Sequence, residues 1–110
     1  MGYIINQYAI VEGWEIDHLK AAHKEAYNLF GGLVSPIMEH AINKSATFFV
    51  NSSGSNVGWR LAIDHNNNLK KFAHWCRAQN LYNKIVLLDV YEEIEQSKIA
   101  ETIEYVERDT

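Results

Sequence analysis

An α+β fold, in which two main helices cover one face of an antiparallel sheet, is predicted by three features of this sequence. Apolar residues recur at three- and four-residue steps from Glu15 to Phe30 and again from Leu69 to Cys76, the period of an amphipathic helix. Tyr3–Val11, Thr47–Val50 and Ile85–Glu92 are instead rich in β-branched and aromatic residues. These segments fit within 110 residues, the length of one domain, with no Pro-rich linker or internal repeat between them.

In chain order, Tyr3–Val11 is the first strand and Gly13 breaks it. The first helix presents Ile16, Leu19, Ala22, His23, Ala26 and Phe30 on one side. Glu15 and Asp17 suit the positive end of its dipole, and Gly31 and Gly32 supply a left-handed stop. Ser35 followed by Pro36 has the order of an N-cap and a first helical residue, which predicts a short helix through Ile42. Next comes A-T-F-F-V-N-S-S-G-S-N-V-G-W-R-L-A-I-D-H, Ala46 to His65, which reads as a hairpin. Phe48 and Val50 share a face, Val57, Trp59, Leu61 and Ile63 form a second inward row, and Asn51–Asn56 turns the chain with Gly54 left-handed. Asparagines within Asp64–Asn68 cap a second helix, whose stripe is Leu69, Phe72, Ala73 and Cys76 and which frays near Asn80. Ile85–Glu92 is a central strand, and Thr102–Val106 is read as its hairpin partner, although Ile99, Ile103 and Val106 also fit a helix. The order is βαββαβ with a C-terminal extension, that of the ferredoxin-like split βαβ fold, with the Phe30 and Phe72 stripes buried against one sheet face.

Ten basic and fourteen acidic residues give a net charge of −4, which disfavours nucleic acid as a partner. Eight of the acidic residues lie between Asp89 and Thr110 beside only Lys98 and Arg108, so the chain has an acidic end and a mildly basic body. The single Cys76 cannot close an internal disulfide, so a reducing cytoplasm is expected. No apolar run reaches the ~20 residues of a membrane span, and Met1–Val11 lacks the basic start and cleavage site of a signal peptide.

No cofactor or metal is expected. His18 and His23 are five apart and His74 and Cys76 two apart, spacings that put each pair on different helix faces. His23 beside the apolar stripe reads as a half-buried packing residue, and Cys76 within its stripe as a small core residue rather than a nucleophile. Ser52–Asn56 has the glycine and hydroxyls of an anion nest but lacks the lysine and following helix of a phosphate loop, so a plain turn is expected. Lys70, His74 and Arg77 recur at i, i+4 and i+7 opposite the core stripe: a solvated helix face, or a ridge for an acidic partner or phosphate, with Trp75 at its margin. On the predicted second hairpin strand Arg60 points away from Trp59, onto the open sheet face beside Tyr91 or Tyr8. Such a face is ordinary exposed surface, a cradle for a flat ligand or partner side chain, or a homodimer surface.

Phe48–Trp59, F-F-V-N-S-S-G-S-N-V-G-W, resembles small uncharacterised proteins encoded by bacteriophages and prophages. In those, an aromatic strand leads into a G-S-x-x-G-W turn, then a charged helix ending in tryptophan and an acidic terminal strand. Val11–His23 is similar to their first helix; Ser53 and Asn56 depart from the aspartate and lysine usual in that turn. The family has no assigned activity, so no catalytic residue is implied. The resemblance implies a non-enzymatic protein in the cytoplasm of a bacterial host that docks on a host or defence protein and modulates it through its acidic tail and aromatic surface. The alternative is a sponge that sequesters a nucleotide signal, with Arg60, Lys70, His74 and Arg77 as donors.

Overall fold

The computed structural model describes residues 4–79, 83–91 and 98–104, the last group as backbone. Its elements are β1 (Ile5–Gly13), α1 (Ile16–Phe30), β2 (Met38–Glu39), β3 (Ala46–Val50), α2 (Arg60–Ala78), β4 (Asn83–Tyr91) and β5 (Lys98–Glu104). The strands form one antiparallel sheet in the order β2-β3-β1-β4-β5. The first four are arranged as the ferredoxin-like order requires, and β5 extends the sheet beyond β4, with a register shift between Leu87 and Leu88. No helix among the described residues is long and apolar enough to cross a membrane.

Strand alternation divides the sheet into two faces. Ala9 and Val11 of β1, Ala46, Phe48 and Val50 of β3, and Ile85 and Leu87 of β4 are buried beneath the helices. Leu19, Ala22, Ala26 and Phe30 of α1 and Leu69, Phe72, Ala73 and Cys76 of α2 complete this core, so both helical stripes face the sheet as their spacing predicts, except Ile16, which is exposed at the start of α1. Phe72 organises it. Its ring lies 6.2 Å from Phe30 in an edge-to-face arrangement and 6.5 Å from Phe48, geometries that suit the quadrupoles of aromatic rings. The opposite face is left open by both helices.

The predicted element order holds, but its middle pair of strands is different. Val57–Ile63 is not a strand: Asn51–Trp59 crosses from β3 to α2, and the helix already starts at Arg60. The reason lies in the period. His65 is buried one turn ahead of Leu69 on the same stripe, so the helical repeat extends upstream of the asparagine run, which sits within the helix instead of capping it. The edge of β3 that a hairpin partner would need is taken by the segment before it. Val34 bridges Val50, the Ser35 N–H donates to the Phe49 carbonyl (2.9 Å), and the Asn51 N–H donates to the Leu33 carbonyl (2.8 Å). Ser35 and Pro36 therefore begin no helix. Pro36 biases Ser35 to extended backbone, and the Ser35 hydroxyl accepts from the Phe49 N–H (2.8 Å), which fastens the segment to β3. The chain then enters β2.

Gly31 ends α1 at φ 56°, and Gly54 adopts φ 74°, the left-handed positions expected of them. At the C-terminal end, a strand pairs with β4 as read, but as Lys98–Glu104; Tyr105 and Val106 lie outside the described residues, as does Asn80. Of the acidic end, Glu92, Glu93, Glu95, Glu107 and Asp109 also lie outside them.

Candidate functional site

Val57, Trp59, Leu61 and Ile63 are all exposed around the head of α2. Sequence alternation assigns them to the core, yet Trp59 is 61% exposed and Leu61 62%, with Val57 and Ile63 also exposed. Gly58, at φ 88°, turns the chain into the helix, a backbone region that side-chain-bearing residues rarely adopt. The Trp59 N–H donates to the Asn56 carbonyl (3.1 Å), and the Ile63 N–H closes the first helical turn on the Trp59 carbonyl (3.0 Å). Trp59 is thus held out at the head of α2 on a fixed backbone. Beside it a cleft of about 160 Å³ is lined by Ile5, Val57, Gly58, Ala62, Ile63 and Asn66, large enough for one apolar side chain.

The loop that carries this shoulder closes on itself. The Ser52 N–H donates to Asn51 Oδ1 (2.8 Å), the Gly54 N–H to Ser52 Oγ (3.1 Å) and the Ser55 N–H to Ser53 Oγ (3.3 Å), while Ser52 Oγ donates to Asn6 Oδ1 of β1 (2.9 Å). Donors that an anion nest would aim outward are used internally. The segment is a β3-to-α2 connection, not a hairpin turn.

His65 anchors the same region from below. Its Nε2–H donates to the Gln7 carbonyl (3.2 Å), its ring stands edge-on to Phe30 at 5.4 Å, and burial holds its pKa below the ordinary value against the raising effect of backbone hydrogen bonds to Gln7 and Asn51. A neutral imidazole therefore pins the first turns of α2 to β1. His23 is half-buried, as its place beside the α1 stripe suggests: it stands edge-on to Phe48 at 5.0 Å, and its Nε2–H donates to the Ser35 carbonyl (2.8 Å).

Arg60, Lys70, His74 and Arg77 are all exposed on α2. Lys70, His74 and Arg77 share the outer side of the helix as their spacing predicts, and Trp75 is partly buried against the core. Arg60 does not lie on the open sheet face beside Tyr8 or Tyr91, because it is the first residue of a helix rather than the middle of a strand. At ~1.5 Å rise per residue it stands about 15 Å along the axis from Lys70 and about 25 Å from Arg77, so these cations do not converge on one ligand. Tyr91 ends β4 opposite Ile5 and, by alternation with Leu87 and Asp89, belongs to the helix side of the sheet. Lys70 lines a cleft about 190 Å³ in volume with Gln7, Asn66, Leu69, Leu87 and Asp89.

The β2–β3 hairpin holds a network that sequence spacing does not reveal. Ser45 Oγ lies 2.6 Å from His40 Nδ1, Thr47 Oγ1 lies 2.7 Å from Nε2, and Glu12 Oε1 is 3.8 Å from the same nitrogen. Asn43, at φ 71°, makes the intervening turn. Both ring nitrogens are engaged by hydroxyls of the hairpin itself, so His40 staples its turn. The signal was present in the alternation of Ser45 and Thr47 but requires the hairpin to be placed first. Among the described residues no three His, Cys, Asp or Glu side chains are grouped to hold a metal ion. Burial, with the charge of Glu25 second, pushes the Cys76 thiol up to about 12, a thiol suited to packing and not to attack.

The open face of the sheet carries Tyr8 and Ile10 of β1, Thr47 and Phe49 of β3, and Val86, Leu88 and Val90 of β4, with Met38 beside Thr47. Phe49 and Met38 are exposed and the others half-buried. Tyr8 and Phe49 also border a wider cleft of about 510 Å³ against Leu33, Val34 and Pro36.

The sequence matches no protein-family model, and neither a curated protein nor a solved structure matches it.

Proposed function

We propose that this protein is a non-enzymatic docking protein of the phage-encoded type, which binds a host or defence protein in the bacterial cytoplasm and modulates it. The observation that supports this reading is the shoulder at Val57–Ile63. Val57 and Ile63 line one cleft with Trp59 one helical turn ahead of Ile63, all three exposed, and tryptophan is among the residues most enriched where interfaces concentrate their binding energy. Trp59 is the anchor, Val57 and Ile63 flank it, and the cleft they line receives an apolar side chain from the partner. The phage assignment rests on the resemblance of Phe48–Trp59 to phage and prophage proteins.

The test is affinity capture from bacterial lysate with wild type and Trp59→Ala as baits. Wild type retains one stoichiometric partner, and Trp59→Ala, folded by circular dichroism, loses it with an affinity drop of at least roughly thirtyfold, equivalent to ~2 kcal/mol. A partner retained equally by both baits would place the contact elsewhere, and a clean wild-type lane would remove the docking reading.

A further inference from the structure

We propose that the open face of the sheet is a self-association surface, on which two copies of this chain pack face to face about a two-fold axis that runs along the strands between β1 and β4. This surface is separate from the Trp59 shoulder and does not depend on the docking reading. The register of β1 against β4 places Glu12 opposite Lys84, Ile10 opposite Val86, Tyr8 opposite Leu88 and Asn6 opposite Val90, all on the open face. A two-fold axis between these strands lays each member of a pair over the other member in the second copy. Ile10 then meets Val86, Tyr8 meets Leu88, and Glu12 meets Lys84, twice over, as an isologous interface requires.

Charge decides which occupant fits. Between Asn6 and Ile10 and between Val86 and Val90 the face carries no ionisable side chain except the tyrosine hydroxyl, so a charged partner finds nothing to pair with there. The charged positions sit together at one end. Glu12 and Lys84 have opposite signs and are exchanged by the axis, which makes that end complementary to a copy of itself. Two other ionisable groups border this end: His40, 3.8 Å from Glu12, and Glu104, which by register is opposite Lys84 and falls over β3 of the second copy. The extent suits a weak, reversible pair. The axis lays β4 over β1 and β5 over β3 and leaves β2 uncovered, so seven residues at ~3.3 Å each, across four strands ~4.8 Å apart, give roughly 440 Å² per copy. Both copies together bury roughly 900 Å², the low end of the range, where transient associations lie. Sheets packed this way lie ~10 Å apart with strands roughly aligned.

The experiment is light scattering on a sizing column, with analytical ultracentrifugation, across a concentration series to about 100 µM. Wild type is expected at twice the chain mass of 12.7 kDa. Glu12→Lys and Lys84→Glu each bring like charges together twice, so each variant alone dissociates at least roughly tenfold more readily. Mixed in equal amounts, they restore a dimer of one copy of each, because position 12 of either copy then again overlies a position 84 of opposite charge. Val86→Asp, at the centre of the face, is the second arm: it is monomeric with the far-UV spectrum of wild type. The proposal is overturned by a wild type that stays at the chain mass throughout, by single charge variants that associate as tightly as wild type, by a mixture that fails to recover the dimer, or by a folded Val86→Asp that still dimerises.

Discussion

Leu61 and Leu69 lie eight residues apart on α2, and truncating each to alanine probes an exposed and a buried position of the same helix with identical chemistry. Leu69 is 1% exposed beneath α2, so Leu69→Ala removes buried methyl groups and leaves a cavity, at a cost of about 2–5 kcal/mol. Leu61 is 62% exposed. At ~25 cal/mol per Å² the little area its lost atoms hide is worth less than about 1 kcal/mol, and the better helix propensity of alanine offsets part of that. With an unfolding entropy near 2.1 cal/mol/K per residue, each kcal/mol shifts the midpoint of a chain this long by about 4 °C. Leu69→Ala should therefore lower Tm by roughly 8–20 °C and Leu61→Ala by less than about 4 °C. Thermal unfolding followed by far-UV circular dichroism, with a urea titration as a second measure, reads both. Equal losses at the two positions would refute the placement of Val57–Ile63 outside the core and restore the hairpin that alternation suggests.

Three further outcomes follow from buried groups. Because burial depresses the folded-state pKa of His65, the unfolded chain takes up its proton first as pH falls. The contribution of His65 is then complete above the ordinary value of 6.5 and is lost as pH drops from there towards the lowered folded value; in His65→Gln that part of the Tm–pH slope disappears, and an unchanged slope would count against it. Cys76 should react with an aromatic disulfide reagent near pH ~8 roughly a thousandfold more slowly in the native protein than in denaturant, and comparable rates would contradict its burial. Asn83, buried at the start of β4 with neither amide atom hydrogen-bonded among the described residues, should gain about 1 kcal/mol of stability on replacement by valine, read as a rise of about 4 °C in Tm; a fall would mean that the amide is satisfied.

Elements with a single consistent period were legible from the sequence. α1 and the Leu69–Cys76 stripe face the core as written, because a helical stripe has only one way to bury itself against a sheet. β4 is a central strand, paired with β1 and β5, but the cover on both faces that a continuous aliphatic run suggests is met on one face alone: Ile85 and Leu87 are buried beneath the helices, and Val86, Leu88 and Val90 lie half-buried on the open face. Val57–Ile63 misled because apolar alternation identifies a strand only if an edge is free to pair with it, and Leu33–Ser35 already occupies that edge of β3. Ser35-Pro36 has the composition of a helix start, but its hydroxyl and amide bond to Phe49, a contact fourteen residues away that local spacing cannot show. The candidate site inherits both differences: Arg60 lies on a helix and not on the sheet, and the four residues assigned to an interior row are exposed. The outward ridge of Lys70, His74 and Arg77 survived, since its helix and phase were read correctly.

The two rims of the sheet are unlike, and this bears on how the chain can misassemble. Beyond β3, Leu33–Ser35 is already bonded along the rim and β2 adds only two residues, so an incoming strand finds almost nothing to pair with. The β5 rim, seven residues from Lys98 to Glu104, is the end of the sheet on the other side. A sheet with two usable edges can add neighbours without limit, which is the route to fibrils. With one usable edge among the described residues, pairing β5 to β5 takes up that rim in both molecules, so edge-to-edge growth stops at a pair.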